Sequence, residues 1–405
     1  MKRRACIVVS SEMTLRAFLP AQLRAMHDRY EMTVVLNTRN AGLLSELDLP
    51  GTLQRLPIVR NISPYHDVVS FLSLFRVMRR ERFDLVQSMT PKAGLLAMVA
   101  AWLARTPVRV HTFTGQVWAT RAGWSRRLLK ALDKLIARCA TVALTDSASQ
   151  REVLVREGIA AAPRLLVLGK GSVSGVDTQR FRPDARERQR TRSALGIPDN
   201  AVVLLFLGRL TRDKGIVDLA RAFASVAPDV RHLHLLVVGP DEQDLRPVVR
   251  RACAPHGGRL HFLDFITSPE RVIAAADVLC LPSYREGFGT VIIEAAAAGV
   301  PAVASRIYGI VDAIDDGHTG LLHEPGDVAD LASHLRRIAS DAGLRRTLGT
   351  AARTRAERDF SQAAVTSAVL GLFDALLAGT AAAPVVVPSG RVHTDLAAHR
   401  SGYTG

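Results

Sequence analysis

Two carboxylates eight positions apart, Glu286 and Glu294, enclose the turn Gly287-Phe288-Gly289-Thr290. The apolar run 278–281 before it reads as a buried strand, and the alanines 295–298 after it read as a helix. A strand that feeds a glycine-rich turn and then a helix gathers unpaired N–H groups and the positive end of a helix dipole at one point. Carboxylates beside it accept hydrogen bonds from hydroxyls, so the chemistry favoured is the gripping of a diol-rich, partly anionic ligand. An early-helix Glu held by the dipole and a solvated loop Glu explain the same pair without a ligand. A second constellation weighs against that alternative. Residues 202–207 form a continuous apolar run, followed by Gly208-Arg209-Leu210-Thr211-Arg212-Asp213-Lys214-Gly215 and a helical pattern from Val217. Arg209 and Lys214 thus leave the carboxyl end of a strand, where open α/β sheets bind ligands, and two cations at a helix N-terminus describe a diphosphate site.

The elements that position these residues alternate. Strand patterns at 6–9, 33–36, 85–86, 108–110 and 142–144 are interleaved with helical patterns at 15–26, 68–80, 92–103, 124–139 and 147–157. Further strands are expected at 202–207, 233–238, 260–262, 278–281 and 301–304, and helices at 327–338, 341–360 and 362–378. Such alternation implies parallel βαβ units, an α/β fold. A chain of 405 residues exceeds one ordinary core, and we read two domains, 1–175 and 176–360, with the helix after 361 standing apart from both. The Ala/Pro/Val-rich stretch 379–405 lacks a core-forming pattern and is expected to be loosely ordered.

Charge is unevenly placed: residues 1–170 hold 26 Lys and Arg against 12 Asp and Glu, whereas the remainder holds 27 against 26. A basic first half suits nucleic acid, an anionic bilayer or an anionic substrate. No nucleic-acid-binding motif accompanies it, and we expect no nucleic-acid partner. Basic and aromatic residues instead cluster around Phe71, Leu72, Phe75, Arg76, Arg79 and Arg80, and around Trp118, Arg121, Trp124, Arg126, Arg127 and Lys130. Both clusters resemble faces that lie on a membrane surface, and both equally resemble solvated helix faces over a core stripe. Cys6, Cys139, Cys253 and Cys280 are widely separated and make neither a disulfide framework nor a metal set, which favours a reducing cytoplasm. The apolar runs near 5–9 and 95–103 are too short for a signal peptide or a spanning helix.

The element from Gly208-Arg209 to Lys214-Gly215, followed by Glu286-Gly287-Phe288-Gly289 and Glu294, resembles the donor site of the large retaining GT-B glycosyltransferase family, family 4. The resemblance runs from residue 1 to about residue 375. It implies two Rossmann-like domains facing each other across a cleft, with helix 361–378 crossing back to the first. It also implies that Arg209 and Lys214 contact a nucleotide diphosphate, that Glu294 holds the ribose, and that Glu286 with Gly287, Phe288, Gly289 and Thr290 holds the donor sugar. His111, directly after a strand, occupies a position where relatives have a His facing that sugar; a purely structural strand-end His is the alternative. Lys92, at a helix start, and Arg121, in a loop between tryptophans, are weaker candidates for an acceptor phosphate, and a cap with a solvated Lys fits Lys92 as well.

No Asp-x-Asp occurs, so no metal is expected, and catalysis falls to the cations that stabilise the leaving diphosphate. No cofactor is implied beyond a UDP-sugar co-substrate. The string Thr112-Phe113-Thr114-Gly115-Gln116-Val117-Trp118 resembles members that extend polyprenyl-diphosphate-linked sugars in surface polysaccharide or oligosaccharide assembly. The expectation is therefore a cytoplasmic enzyme, peripheral on the anionic inner face of the cell membrane, transferring a hexose or N-acetylhexosamine to such a lipid acceptor. Transfer to a soluble acceptor, or sugar-nucleotide epimerisation on the same fold, are the alternatives. Two positions depart from the family pattern: Glu12-Met13-Thr14 replaces a glycine turn, and Asp264 stands where relatives have Gly.

Overall fold

The computed structural model describes residues 2–59 and 63–380, so the expectation for the tail falls, beyond Thr380, outside the described residues. Two parallel sheets carry the fold. The first contains β1 (Arg3–Val8), β2 (Tyr30–Leu36), β3 (Thr52–Arg55), β4 (Leu85–Met89), β5 (Val108–Phe113), β6 (Val142–Thr145) and β7 (Leu165–Val167). The second contains β8 (Val202–Leu207), β9 (Leu233–Val238), β10 (Leu260–Leu263), β11 (Val278–Leu281), β12 (Ala302–Ser305) and β13 (Gly320–His323). Their orders are β3-β2-β1-β4-β5-β6-β7 and β10-β9-β8-β11-β12-β13. Helices cover both faces of each sheet, which is why central strands such as Leu233–Val238 are buried at every position and read as unbroken apolar runs.

In the second sheet the order reverses between β8 and β11, which pair at Val278↔Leu204 and Leu279↔Leu205. The loops leaving those two strands are the ones that carry Arg209, Lys214 and Glu286. A crevice opens at such a reversal because the two connections depart to opposite faces. Loops at the carboxyl ends of β5 and β6 meet the loops after β11 and β12, so the two sheets face each other.

The chain passes between the domains twice, at one place. The Val176 N–H donates to the Phe360 carbonyl at 2.8 Å, and the Gln362 N–H donates to the Val176 carbonyl at 2.9 Å. Beyond that point the helix Gln362–Ala378 returns to the first sheet, burying Val369, Leu370, Leu372 and Phe373 in the core that lies under β1 and β2. Asp374 accepts a hydrogen bond from the Tyr30 hydroxyl at 2.7 Å and pairs with Arg29.

Several expectations need correction. The helix expected over 15–26 is two helices, Glu12–Phe18 and Pro20–His27, because Pro20 lacks the N–H that would continue the first turn ladder and instead opens a second helix. Strands β3, β7 and β13 were not expected; each has three or four residues and lies at a sheet edge, where alternation is too brief to register. The arginine run after Pro183 is part of a helix, Ala185–Ala194. Among the described residues no helix is long and apolar enough to cross a membrane.

Candidate active site

Lys214 closes a 3-10 turn, Arg212–Lys214, after β8, and Gly215 in the left-handed region (φ 68°) turns the chain into the helix Ile216–Val226. Its Nζ lies 2.5 Å from Glu286 Oε1, with the Lys214 side chain 20% and the Glu286 side chain 12% exposed. Ser283 Oγ donates to the same carboxylate oxygen at 2.9 Å. The turn is tied to the β8 loop elsewhere too: Tyr284 N–H donates to the Asp213 carbonyl at 2.9 Å and its hydroxyl to Asp218 at 2.7 Å. A cation and a carboxylate 72 positions apart are therefore held together as one polar cluster. Arg209 leaves the same strand end but pairs with Glu242 at 2.7 Å.

Phe288 is buried, its ring edge-on to Phe360 with centroids 5.2 Å apart, which anchors the turn to the point where the chain leaves the second domain. Gly289 (φ 77°) then admits the chain to the helix Thr290–Ala297. Glu294, within that helix, is half-buried. Burial pushes its carboxyl up to about 7, Arg180 opposes that and Glu270 adds to it. At neutral pH it is thus poised between a donating acid and an accepting carboxylate.

The first domain meets this turn directly. Arg285 Nη1 donates to the Gly115 carbonyl at 3.2 Å while its Nη2 contacts Asp213 at 3.2 Å. Ser147 Oγ donates to the Gly287 carbonyl at 3.4 Å. Ser149 Oγ bonds to Asp312 and accepts from the Gly309 N–H at 2.7 Å. Asp146 stands beside Gly287 in the same seam. None of Asp146, Ser147, Ser149, Arg285 and Asp312 was singled out from the sequence. The available signal was the polar triplet Thr145-Asp146-Ser147 at the carboxyl end of an expected strand.

His111 and Lys92 are engaged by partners within the first domain. His111 is 1% exposed within β5; its Nδ1 is 2.8 Å from Ser88 Oγ and its ring sits edge-on to Phe113. Gly94 is required beside it, since a Cβ there would stand 2.3 Å from His111 Cε1. Burial pushes the imidazole down to about 3, so it is neutral. All of those partners belong to the first domain. Lys92 Nζ is 2.6 Å from Asp67, and Thr90 before it holds a β-branched side chain at φ 71°, a conformation that carries strain. Arg121 is exposed, just past the turn Val117–Thr120.

The two basic faces are also revised. Phe71 and Phe75 pack against the core, and the exposed apolar residues of the helix Pro64–Glu81 are Tyr65, Val68, Val69 and Leu72. Trp118 is buried, its Nε1 donating to Asp133 at 2.7 Å beneath Arg126 and Lys130. Trp124 is 75% exposed, followed by exposed Leu128 and Leu135 on the helix Gly123–Cys139.

Two parallel sheets facing at their carboxyl ends, with paired cation and carboxylate at the reversal point of the second, make a GT-B architecture. Residues 15–171 match the glycosyl transferase 4-like domain, and residues 187–355 match glycosyl transferases group 1. The chain belongs to these glycosyltransferases, one match falling in each domain. The capsular polysaccharide biosynthesis glycosyltransferase CapM of Staphylococcus aureus is 28% identical over 329 residues, 80% of this chain and 84% of its own length. The UDP-Gal:alpha-D-GlcNAc-diphosphoundecaprenol alpha-1,3-galactosyltransferase of Escherichia coli is 27% identical over 292 residues, 71% and 74% of the two chains. Among solved structures, Anabaena Alr3699/HepE in complex with UDP and glucose aligns with a TM-score of 0.77 over 92% of this chain and 100% of that one. At 21% identity that likeness speaks for the fold.

Proposed function

We propose that the protein is a retaining glycosyltransferase that moves a hexose or N-acetylhexosamine from a UDP-sugar to a polyprenyl-diphosphate-linked sugar, working from the cytoplasmic face of the cell membrane. The observation that carries the donor half is the Lys214–Glu286–Ser283 cluster at the β8/β11 reversal, faced by Gly115 of the first domain. In this reading Lys214 and Arg209 leave their carboxylate partners for the diphosphate, and Glu286 is freed for a sugar hydroxyl. Glu294 holds the ribose. The two cations stabilise the negative charge that builds on the departing nucleotide, without a metal ion. Closure of the seam keeps water from the donor.

The acceptor half is supported by the names of the two relatives, one acting in capsular polysaccharide biosynthesis and the other on a sugar-diphosphoundecaprenol. It is supported physically by exposed Trp124 and Leu128 beside Arg127, a composition suited to anionic lipid headgroups. Lys92 and the helix start behind strained Thr90, with Arg121, would receive the acceptor diphosphate, and His111 supports the β5 end that faces the donor.

The test is UDP release from UDP-glucose, UDP-galactose, UDP-N-acetylglucosamine and UDP-N-acetylgalactosamine, with and without a polyprenyl-diphosphate-sugar in detergent. Release that needs one donor and the lipid together is the expected result. Donor turnover without acceptor would replace this reading with epimerisation or hydrolysis.

A further inference from the structure

Asp146 follows the last residue of β6 and is 3% exposed. Its backbone is fixed on both sides: the N–H donates to Gln150 Oε1 at 2.7 Å, and the carbonyl accepts from the Ser172 N–H at 2.6 Å. Gly171 packs so closely that a Cβ there would lie 2.5 Å from that carbonyl. The carboxyl on this rigid mount is aimed across the domain seam at the donor turn. A Cβ on Gly287 would stand 2.5 Å from Asp146 Oδ2 and 2.7 Å from the Gly115 N–H nitrogen, so only glycine fits. The other oxygen, Oδ1, is buried and has no hydrogen-bond partner among the described residues. Native proteins rarely leave a buried polar atom so, and where they do it calls for a ligand or a strain that serves function.

The surrounding polar groups already have partners: Lys214 is paired with Glu286, Arg285 with Asp213, and Asp312 accepts a hydrogen bond from Ser149. Burial favours the uncharged acid at Asp146. An anion would gain nothing from a carboxyl in this position, whereas a hydroxyl can donate to it or accept from it. We propose that Asp146 is a specificity-determining residue whose free oxygen hydrogen-bonds one hydroxyl of the transferred sugar. This rests on the UDP-sugar reading above. Because Asp146 belongs to the first domain and the nucleotide contacts to the second, it selects the sugar when the two domains are together and leaves nucleotide affinity alone.

The experiment is calorimetric titration of the full chain with UDP, with the UDP-sugar it binds best, and with the monodeoxy analogues of that sugar. Asp146→Ala is expected to weaken the UDP-sugar by about tenfold, the scale of one neutral hydrogen bond, without changing the Kd for UDP. Discrimination against one monodeoxy analogue, present in the wild type, should vanish in the variant. Asp146→Asn, a neutral isostere, should retain that discrimination, and Asp146→Ser replaces the alanine variant if thermal melting shows it misfolded. Unchanged sugar affinity, an equal loss for every analogue, a loss of UDP binding, or an Asn variant no better than alanine would each overturn the assignment while leaving the donor reading in place. A wild-type chain that binds UDP but none of the UDP-sugars would overturn both.

Discussion

Lys214 and Glu286 neutralise each other across the β8/β11 reversal, and that pairing sets what substitution does. Lys214→Ala should lower kcat by about 100- to 1000-fold, as loss of a preorganised group facing developing charge does, while the thermal transition stays near wild type. Full activity in Lys214→Ala and Glu294→Ala together would remove the site assignment. Glu294 adds a pH signature. Its folded-state acid is raised to about 7, so the native chain holds the proton above the unfolded value and ionisation through the window from about 4.5 to about 7 costs stability as pH rises. A carboxylate that accepts from ribose hydroxyls then makes UDP affinity increase from pH 6 to 8, and Glu294→Gln should flatten that increase in a titration series. His111 works the other way. Its imidazole is depressed to about 3, so stability present above about 6.5 is lost as pH falls, at about 1.4 kcal/mol per pH unit, and His111→Asn should remove that slope in acid denaturation. The candidates Arg209, Lys214, Glu286 and Glu294 stood out because each sits in a short contiguous motif between recognisable elements, and of these the structure brings Lys214 and Glu286 together. Asp146 and the burial of His111 were not, since whether a side chain meets solvent or another domain is decided by residues far away in the chain.

Among the elements, the central strands declared themselves by continuous apolar runs, and β8, β9 and β11 match their expected ranges end to end. The edge strands β3, β7 and β13 did not, being only three or four residues long. The two tryptophans of the basic cluster that runs into the helix Gly123–Cys139 part company: Trp118 is interior beneath Arg126 and Lys130, and Trp124 points outward. Arg126 and Lys130 are further engaged by Glu157, at 2.9 and 2.6 Å. On the membrane-surface reading proposed above, contact by this helix would fall to Trp124, Leu128, Arg127 and Lys134, all exposed. Trp124→Glu with Leu128→Glu should reduce sedimentation with phosphatidylserine vesicles by at least tenfold and leave UDP binding unchanged. Binding should also weaken with added salt, because each cation near an anionic surface contributes about 1 kcal/mol and is screened within a Debye length.

At the level of the whole molecule, basicity is concentrated in the first domain while the proposed nucleotide site belongs to the second, so in the proposed reading a lipid surface would meet one domain and a nucleotide sugar the other. The returning helix Gln362–Ala378 makes the first domain depend on the far end of the chain. Phe373, fully buried against it, is the measure: Phe373→Ala should cost about 3–5 kcal/mol and expose the first domain to limited proteolysis before the second. The backbone pairing of Val176 with Phe360 and Gln362 carries a topological consequence. The first domain is discontinuous in sequence, and the second is an insert whose two ends are sewn together at a single stitch. A chimera that exchanges donor specificity therefore has two natural cuts, beside residues 175 and 361, and one made with the first cut alone would carry away the helix that completes its host.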